Sequence, residues 1–113
     1  LDAQGRLVLH GREREQINVG GAKVYPADVD AIVGTAGDVI DACTFAVSDP
    51  LLGQSVATAV VLGTAGDEAL RRVYEHARTR LSGHQVPRRW YVVDAIARTA
   101  RGKLDRRLVA SQC

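Results

Sequence analysis

The chain has 113 residues, 46% of them hydrophobic and 25% charged, and a formal net charge of +2. That length holds one domain with a real core but not a large substrate pocket as well, and no apolar run approaches the ~20 residues of a membrane span. The small charge does not demand a nucleic-acid partner, so neither nucleic acid nor membrane is an expected partner.

The opening "LDAQGRLVLHGRE" has neither the basic start nor the apolar stretch of a signal peptide, which makes a cytoplasmic setting the expectation. The absence of methionine hints at a piece of something longer. "GRLVLHG" (5–11) alternates between glycines and reads as a strand, with "EQINV" (15–19) as a hairpin partner. After Gly20 and Gly21, Pro26 suits a first helical turn, Asp28 and Asp30 favour the positive end of the helix dipole, and Gly34 suits the stop. A short helix over 27–33 follows.

"VIDACTFAVSD" (39–49) and "SVATAVVLG" (55–63) are β-rich runs separated by a turn containing Pro50 and Gly53, and read as paired strands. Leu70, Val73, Ala77 and Leu81 share one stripe of a helix opened by Asp67 and Glu68 and closed near Gly83. "RWYVVDAI" (89–96) gives a further strand, and "KLDRRLVAS" a short terminal helix. The order β-β-α-β-β-α-β-α predicts a small α+β domain: an N-terminal β-hairpin and a central, about three-stranded sheet packed by helices around one core.

Few residues carry chemistry on their own. His10, His76 and His84 are far apart and neither cysteine has a partner at ligand spacing, so a metal site is not expected. A disulfide between Cys43, in an apolar run, and the terminal Cys113 is not expected either. Ser82, His84 and Asp94 could be written as a triad, but no nucleophile turn supports one. Two glycine features are stronger. In "NVGGAKV", Gly20 and Gly21 can adopt dihedrals other residues avoid and so let backbone approach a ligand; judged alone, a plain hairpin-to-helix turn explains them as well. In "ARTARGK", Thr99 and Gly102 suggest a mobile or tightly bent loop presenting Lys103. Thirteen of the fifteen cations are arginines and only Lys23 and Lys103 are lysines, so a compact mobile charge stands out here. Alone, the segment from Arg98 to Arg107 also reads as a basic, solvated face.

Together, "GREREQINVGGAKVYPADVDAIV" and, some 60 residues later, "VPRRWYVVDAIARTARGKLDRRLV" resemble the C-terminal domain of the AMP-forming adenylating enzymes, which include acyl- and aryl-CoA synthetases, nonribosomal peptide synthetase adenylation domains and luciferases. The resemblance covers nearly the whole chain. It implies a mobile lid spanning residues 1–113, with a hinge near 12–15 and the large N-terminal domain absent. The implied reaction has two steps: a carboxylate attacks ATP to give an acyl-adenylate and pyrophosphate, then a thiol displaces AMP.

By the same resemblance Lys103 is the adenylation lysine, Arg12 and Lys23 lie on the nucleotide side, and Arg14 falls at the hinge, where Asp or Lys is usual. Gly20 and Gly21 line the pantetheine channel. Ala97 and Arg101 depart from the family's usual proline and serine. ATP with Mg2+, and CoA or a carrier protein's phosphopantetheine, would bind mainly with the large domain, on the same chain or in trans; an acyl or peptidyl carrier protein is a further implied partner. Alone the domain is expected to be inactive in the overall reaction. A peptide-synthetase adenylation fragment and a free-standing, non-catalytic docking module of the same fold are the alternatives.

Overall fold

The computed structural model describes residues 16–63 and 66–113. The elements in chain order are β1 (Ile17–Val19), β2 (Ala22–Val24), α1 (Pro26–Val33), β3 (Val39–Asp49), β4 (Gly53–Leu62), α2 (Asp67–Arg80), β5 (Arg89–Val92) and α3 (Arg106–Gln112). From α1 onward the predicted order of strands and helices is observed, and the expected strand at 5–11 lies outside the described residues. Within them the partner of Ile17–Val19 is Ala22–Val24, so Gly20-Gly21 is the hairpin turn itself and not a link from hairpin to helix. Both glycines have positive φ, 57° and 92°. A two-residue turn whose twist matches the strands requires that sign at both positions, and glycine meets it without steric cost.

The sheet is built on β4. One edge of β4 pairs antiparallel with β3 from Val39↔Leu62 to Asp49↔Gly53. Its other edge takes β5 in parallel, Ala57↔Arg89 to Val60↔Val92, and meets β1 at Val19↔Gly53. The three expected central strands are therefore β3, β4 and β5, extended by the β1–β2 ribbon to five. The final strand stops at Val92, and Ile96 instead joins the core.

One core was expected; the sheet divides the apolar interior into two layers. Alternation along β4 does this, because successive side chains point to opposite faces. Val56 and Val60 join Val29 and Val33 of α1 and Val73 and Ala77 of α2 on one face. Ala57 and Ala59 join Cys43, Phe45, Ile96 and Val109 of α3 on the other. Each fully buried valine contributes roughly 1.5–3 kcal/mol relative to an exposed one. The expected α2 stripe packs here: Val73 and Ala77 are buried, and Leu70 and Leu81 partly so. Thr44 and Thr58, opposite one another in β3 and β4, are fully buried and satisfy each other's hydroxyls at 3.0 Å. Both cysteines are free thiols, and burial pushes the Cys43 thiol up to about 12, so it is protonated and inert at neutral pH.

Asp30 departs from its predicted role. It lies inside α1, and its carboxylate accepts the Thr44 N–H at 2.7 Å and Arg106 Nη1 at 2.7 Å; the same Nη1 donates to the Thr44 carbonyl at 2.9 Å. β3 is an edge strand. A residue of α1 and the first residue of α3 thus meet at that edge and occupy the backbone N–H and C=O that it leaves unpaired. Burial raises the Asp30 carboxyl above the usual carboxylate range, while Arg106 and the Thr44 hydrogen bonds pull the other way.

Candidate functional site

The two glycine loops are built differently. The Gly20-Gly21 turn sits against the β3–β4 turn: Gly20 N–H donates to the Leu52 carbonyl at 3.0 Å and Asn18 N–H to Gln54 Oε1 at 2.8 Å. The supporting turn is fixed in its own right, because Asp49 Oδ1 accepts the Leu51 and Leu52 N–H groups, both at 2.9 Å. Those donors hold the Asp49 carboxyl below the usual carboxylate range. A Cβ on Gly20 would come within 3.1 Å of Leu52 Cδ2, whereas one on Gly21 would meet nothing within 4 Å. Gly21 therefore offers bare backbone to the outside. Lys23 is exposed on β2 opposite Asn18.

The Lys103 loop is a narrow excursion from the sheet. Arg98 and Leu104 bridge at its base, the Thr99 N–H donates to the Lys103 carbonyl at 2.7 Å, and the Asp105 N–H donates to the Ala97 carbonyl at 3.0 Å. Gly102 N–H closes the turn on the Thr99 carbonyl at 2.9 Å, and Gly102 itself has φ 86°. This is the pattern of a tight turn ended by a left-handed glycine bulge, which gives the loop the tight bend that Thr99 and Gly102 suggest. Lys103 stands exposed one residue beyond the bulge.

Two arginines brace the loop, and neither stood out from the basic face in the sequence. Before the turn, Arg98 donates Nη1 to Asp41 Oδ2 at 2.6 Å and Nη2 to Asp41 Oδ1 at 3.0 Å. After it, Asp105 caps α3 by accepting the Leu108 N–H at 3.1 Å, and Arg106 reaches Asp30. The guanidinium beside Asp41 holds its carboxyl below the ordinary range, and the pairing pushes Arg98 up. Asp30 and Asp41 lie 76 and 57 residues from their partners, so no local pattern announces them.

The two loops occupy opposite ends of the β3–β4 pair. The glycine turn is tied to Gly53 and the lysine loop to Asp41, which faces Val61. At ~3.3 Å per residue, the intervening length of β4 separates these anchors by roughly 25 Å. No single pocket can hold both loops of one domain copy. Arg12 and Arg14 lie outside the described residues, as does the expected hinge near 12–15.

Ser82 and His84 do not form a nucleophile pair: the Ser82 hydroxyl donates to Gln85 Oε1 at 3.0 Å, and His84 Nε2 is 3.5 Å away. Among the described residues no group of three His, Cys, Asp or Glu side chains converges to hold a metal ion, and no helix is long and apolar enough to cross a membrane. An open groove lined by Tyr74, Arg78, Pro87, Arg88 and Trp90 contains no residue of either loop.

Comparison with known proteins agrees with this architecture. Residues 28–103 match the AMP-binding enzyme C-terminal domain, a span that ends on Lys103. Over 107 residues the chain is 38% identical to a medium/long-chain-fatty-acid-CoA/3-oxocholest-4-en-26-oate-CoA ligase of Mycolicibacterium smegmatis, covering 95% of this chain and 19% of that protein. Over 110 residues it is 35% identical to an oxalate-CoA ligase of Saccharomyces cerevisiae, covering 97% of this chain and 20% of that protein. Among solved structures, an amide bond synthetase from Marinactinospora thermotolerans superposes with a TM-score of 0.79 at 30% identity, over 88% of this chain and 20% of that one. The chain spans about one fifth of the length of the curated relatives it matches. It belongs to the AMP-binding enzyme C-terminal domain family.

Proposed function

We propose that this domain is the moving part of a cytoplasmic, AMP-forming carboxylic acid ligase with CoA or a carrier-protein thiol as acceptor, and that it supplies one loop to each of two successive steps. The observation that carries this reading is the placement of the two loops at opposite ends of β3–β4, each held by its own contacts. With the ends roughly 25 Å apart, one site on a large domain can meet both only in turn, so the domain must reorient between steps. The CoA-ligase names of the relatives support this choice over a peptide-synthetase fragment and over a non-catalytic docking module.

In the first step a carboxylate oxygen bonds to the α-phosphorus of ATP and the bond to pyrophosphate breaks. Negative charge gathers between the two reactants, and the Lys103 ammonium is suited to stand there. At ~4 Å and an effective dielectric of ~20, one such charge pair is worth roughly 4 kcal/mol. Lysine fits a point between two anions, where arginine's planar fork fits one flat partner. In the second step a thiol attacks the acyl carbon and AMP leaves. Gly20 and Gly21 would line the thiol's path, where a backbone without side chains leaves room.

Lys23 and Arg12 would face the nucleotide and Arg14 would serve the hinge. Mg2+ would be held by the nucleotide and the large domain. The test is carboxylate-dependent exchange between ATP and pyrophosphate with the large domain supplied on the same chain or in trans. Lys103→Ala is expected to lower it by ~10²- to 10³-fold, as loss of an oxyanion donor does. Exchange at the unaltered rate would remove Lys103 from the reaction.

A further inference from the structure

The backbone at Lys103 is tied to the residue next to Arg98, because the Thr99 N–H donates to the Lys103 carbonyl at 2.7 Å. Arg98 is itself fixed in direction, giving both terminal nitrogens to Asp41 at 2.6 and 3.0 Å. Asp41 is oriented by the strand: it follows the irregularity between Val39 and Asp41 in β3, and its Oδ1 accepts the Ala42 N–H at 3.0 Å. A bidentate arginine–carboxylate pair fixes angle as well as distance. Two linked contacts therefore run from the edge of the sheet to the lysine.

We propose that Asp41 and Arg98 are a positioning pair that sets where the Lys103 ammonium arrives in the adenylation step. This rests on the assignment of Lys103 to that step. The pair is poorly placed to be a stability device, with side chains 41% and 26% exposed, and exposed pairs contribute little to folding. The Arg106–Asp30 pair, 17% and 14% exposed, is the one that fastens α3. The Arg98–Asp41 pair instead stands at the foot of the arm that leads to the lysine turn. An error of ~1 Å in a reacting group can cost on the order of 10²-fold in rate.

The experiment uses the full-length protein that carries this domain, with Asp41→Asn, Arg98→Gln, both together, and Lys103→Ala beside them. The expected result is an exchange kcat lower by ~10- to 100-fold in each single variant, with KM for ATP and acid within about twofold. The double variant should be no slower than either single one, since both remove the same link. Thioester formation from supplied acyl-adenylate should keep its rate, and so should the melting temperature to within a few degrees, roughly.

Unaltered exchange in a folded Asp41→Asn protein overturns the proposal. So does equal loss in both half-reactions, because the pair would then merely hold the domain together. If Lys103→Ala itself exchanges normally, the underlying assignment fails. If Lys103→Ala is slow and Asp41→Asn is not, the positioning role alone fails.

Discussion

The glycine turn and the lysine loop are both short hairpin turns with left-handed glycines, yet they are held by opposite means. The turn at Gly20-Gly21 is fixed by backbone and amide hydrogen bonds to Leu52 and Gln54 and by close packing on Leu52. The loop at Lys103 is fixed through Arg98–Asp41 before it and Arg106–Asp30 after it. A loop that offers backbone needs its shape preserved. A loop that offers a cation needs its charge aimed, and charge pairs at its feet do that while leaving the lysine exposed. The difference predicts different failures.

The largest effect is expected at Arg106. Arg106→Ala leaves the Asp30 carboxylate partly buried beside an edge carbonyl that has lost its donor, which should cost about 3 kcal/mol in denaturant unfolding. A loss below about 1 kcal/mol would mean that the edge of β3 is not fastened there. On the other side of the comparison, Gly20→Ala and Gly21→Ala each force an L-residue to positive φ, at a cost of roughly 1–2 kcal/mol. They separate by site: the Gly20 change must also displace Leu52, visible as a methyl shift in NMR spectra, while the Gly21 change leaves Leu52 in place.

Salt gives a smaller effect. Raising ionic strength to about 1 M screens the half-exposed Arg98–Asp41 pair and should weaken the lysine loop before the glycine turn, read as faster amide exchange at Thr99 than at Gly20. The smallest effect is that of acid. The folded pKa of Asp41 lies below its unfolded value of ~3.9. Its contribution is therefore complete above that value and is lost as pH falls through the folded one. Carboxyl titration should show Asp41 protonating below the usual range, and returning to it in Arg98→Ala.

The sequence revealed most of the fold because its elements are written locally. Pro26 at the first helical position, the Leu70–Val73–Ala77 stripe and the β-rich runs beside Pro50 and Gly53 each signal one element within a few residues. In the sequence Gly20-Gly21 reads as well as a link from hairpin to helix, because two glycines suit several turns, and the pairing of Ile17–Val19 with Ala22–Val24 decides among them. The two core layers and both arginine braces were hidden for a different reason. Asp30 looks like a helix-start residue and Arg106 like one of many surface arginines until β3 brings them together. Lys103 and the glycines stand out through residue choice, whereas the pairs on either side of the Lys103 loop depend on contacts 57 and 76 residues apart.

The central claim is that one small domain serves two steps from two ends. It is tested most directly by measuring both half-reactions, adenylate formation and thioester formation from supplied adenylate, for Lys103→Ala and Gly21→Val in the full-length protein. The account predicts a crossed result: Lys103→Ala loses ~10²-fold or more in the first and keeps the second, and Gly21→Val keeps the first and loses the second. Loss of the same half-reaction in both variants would contradict it.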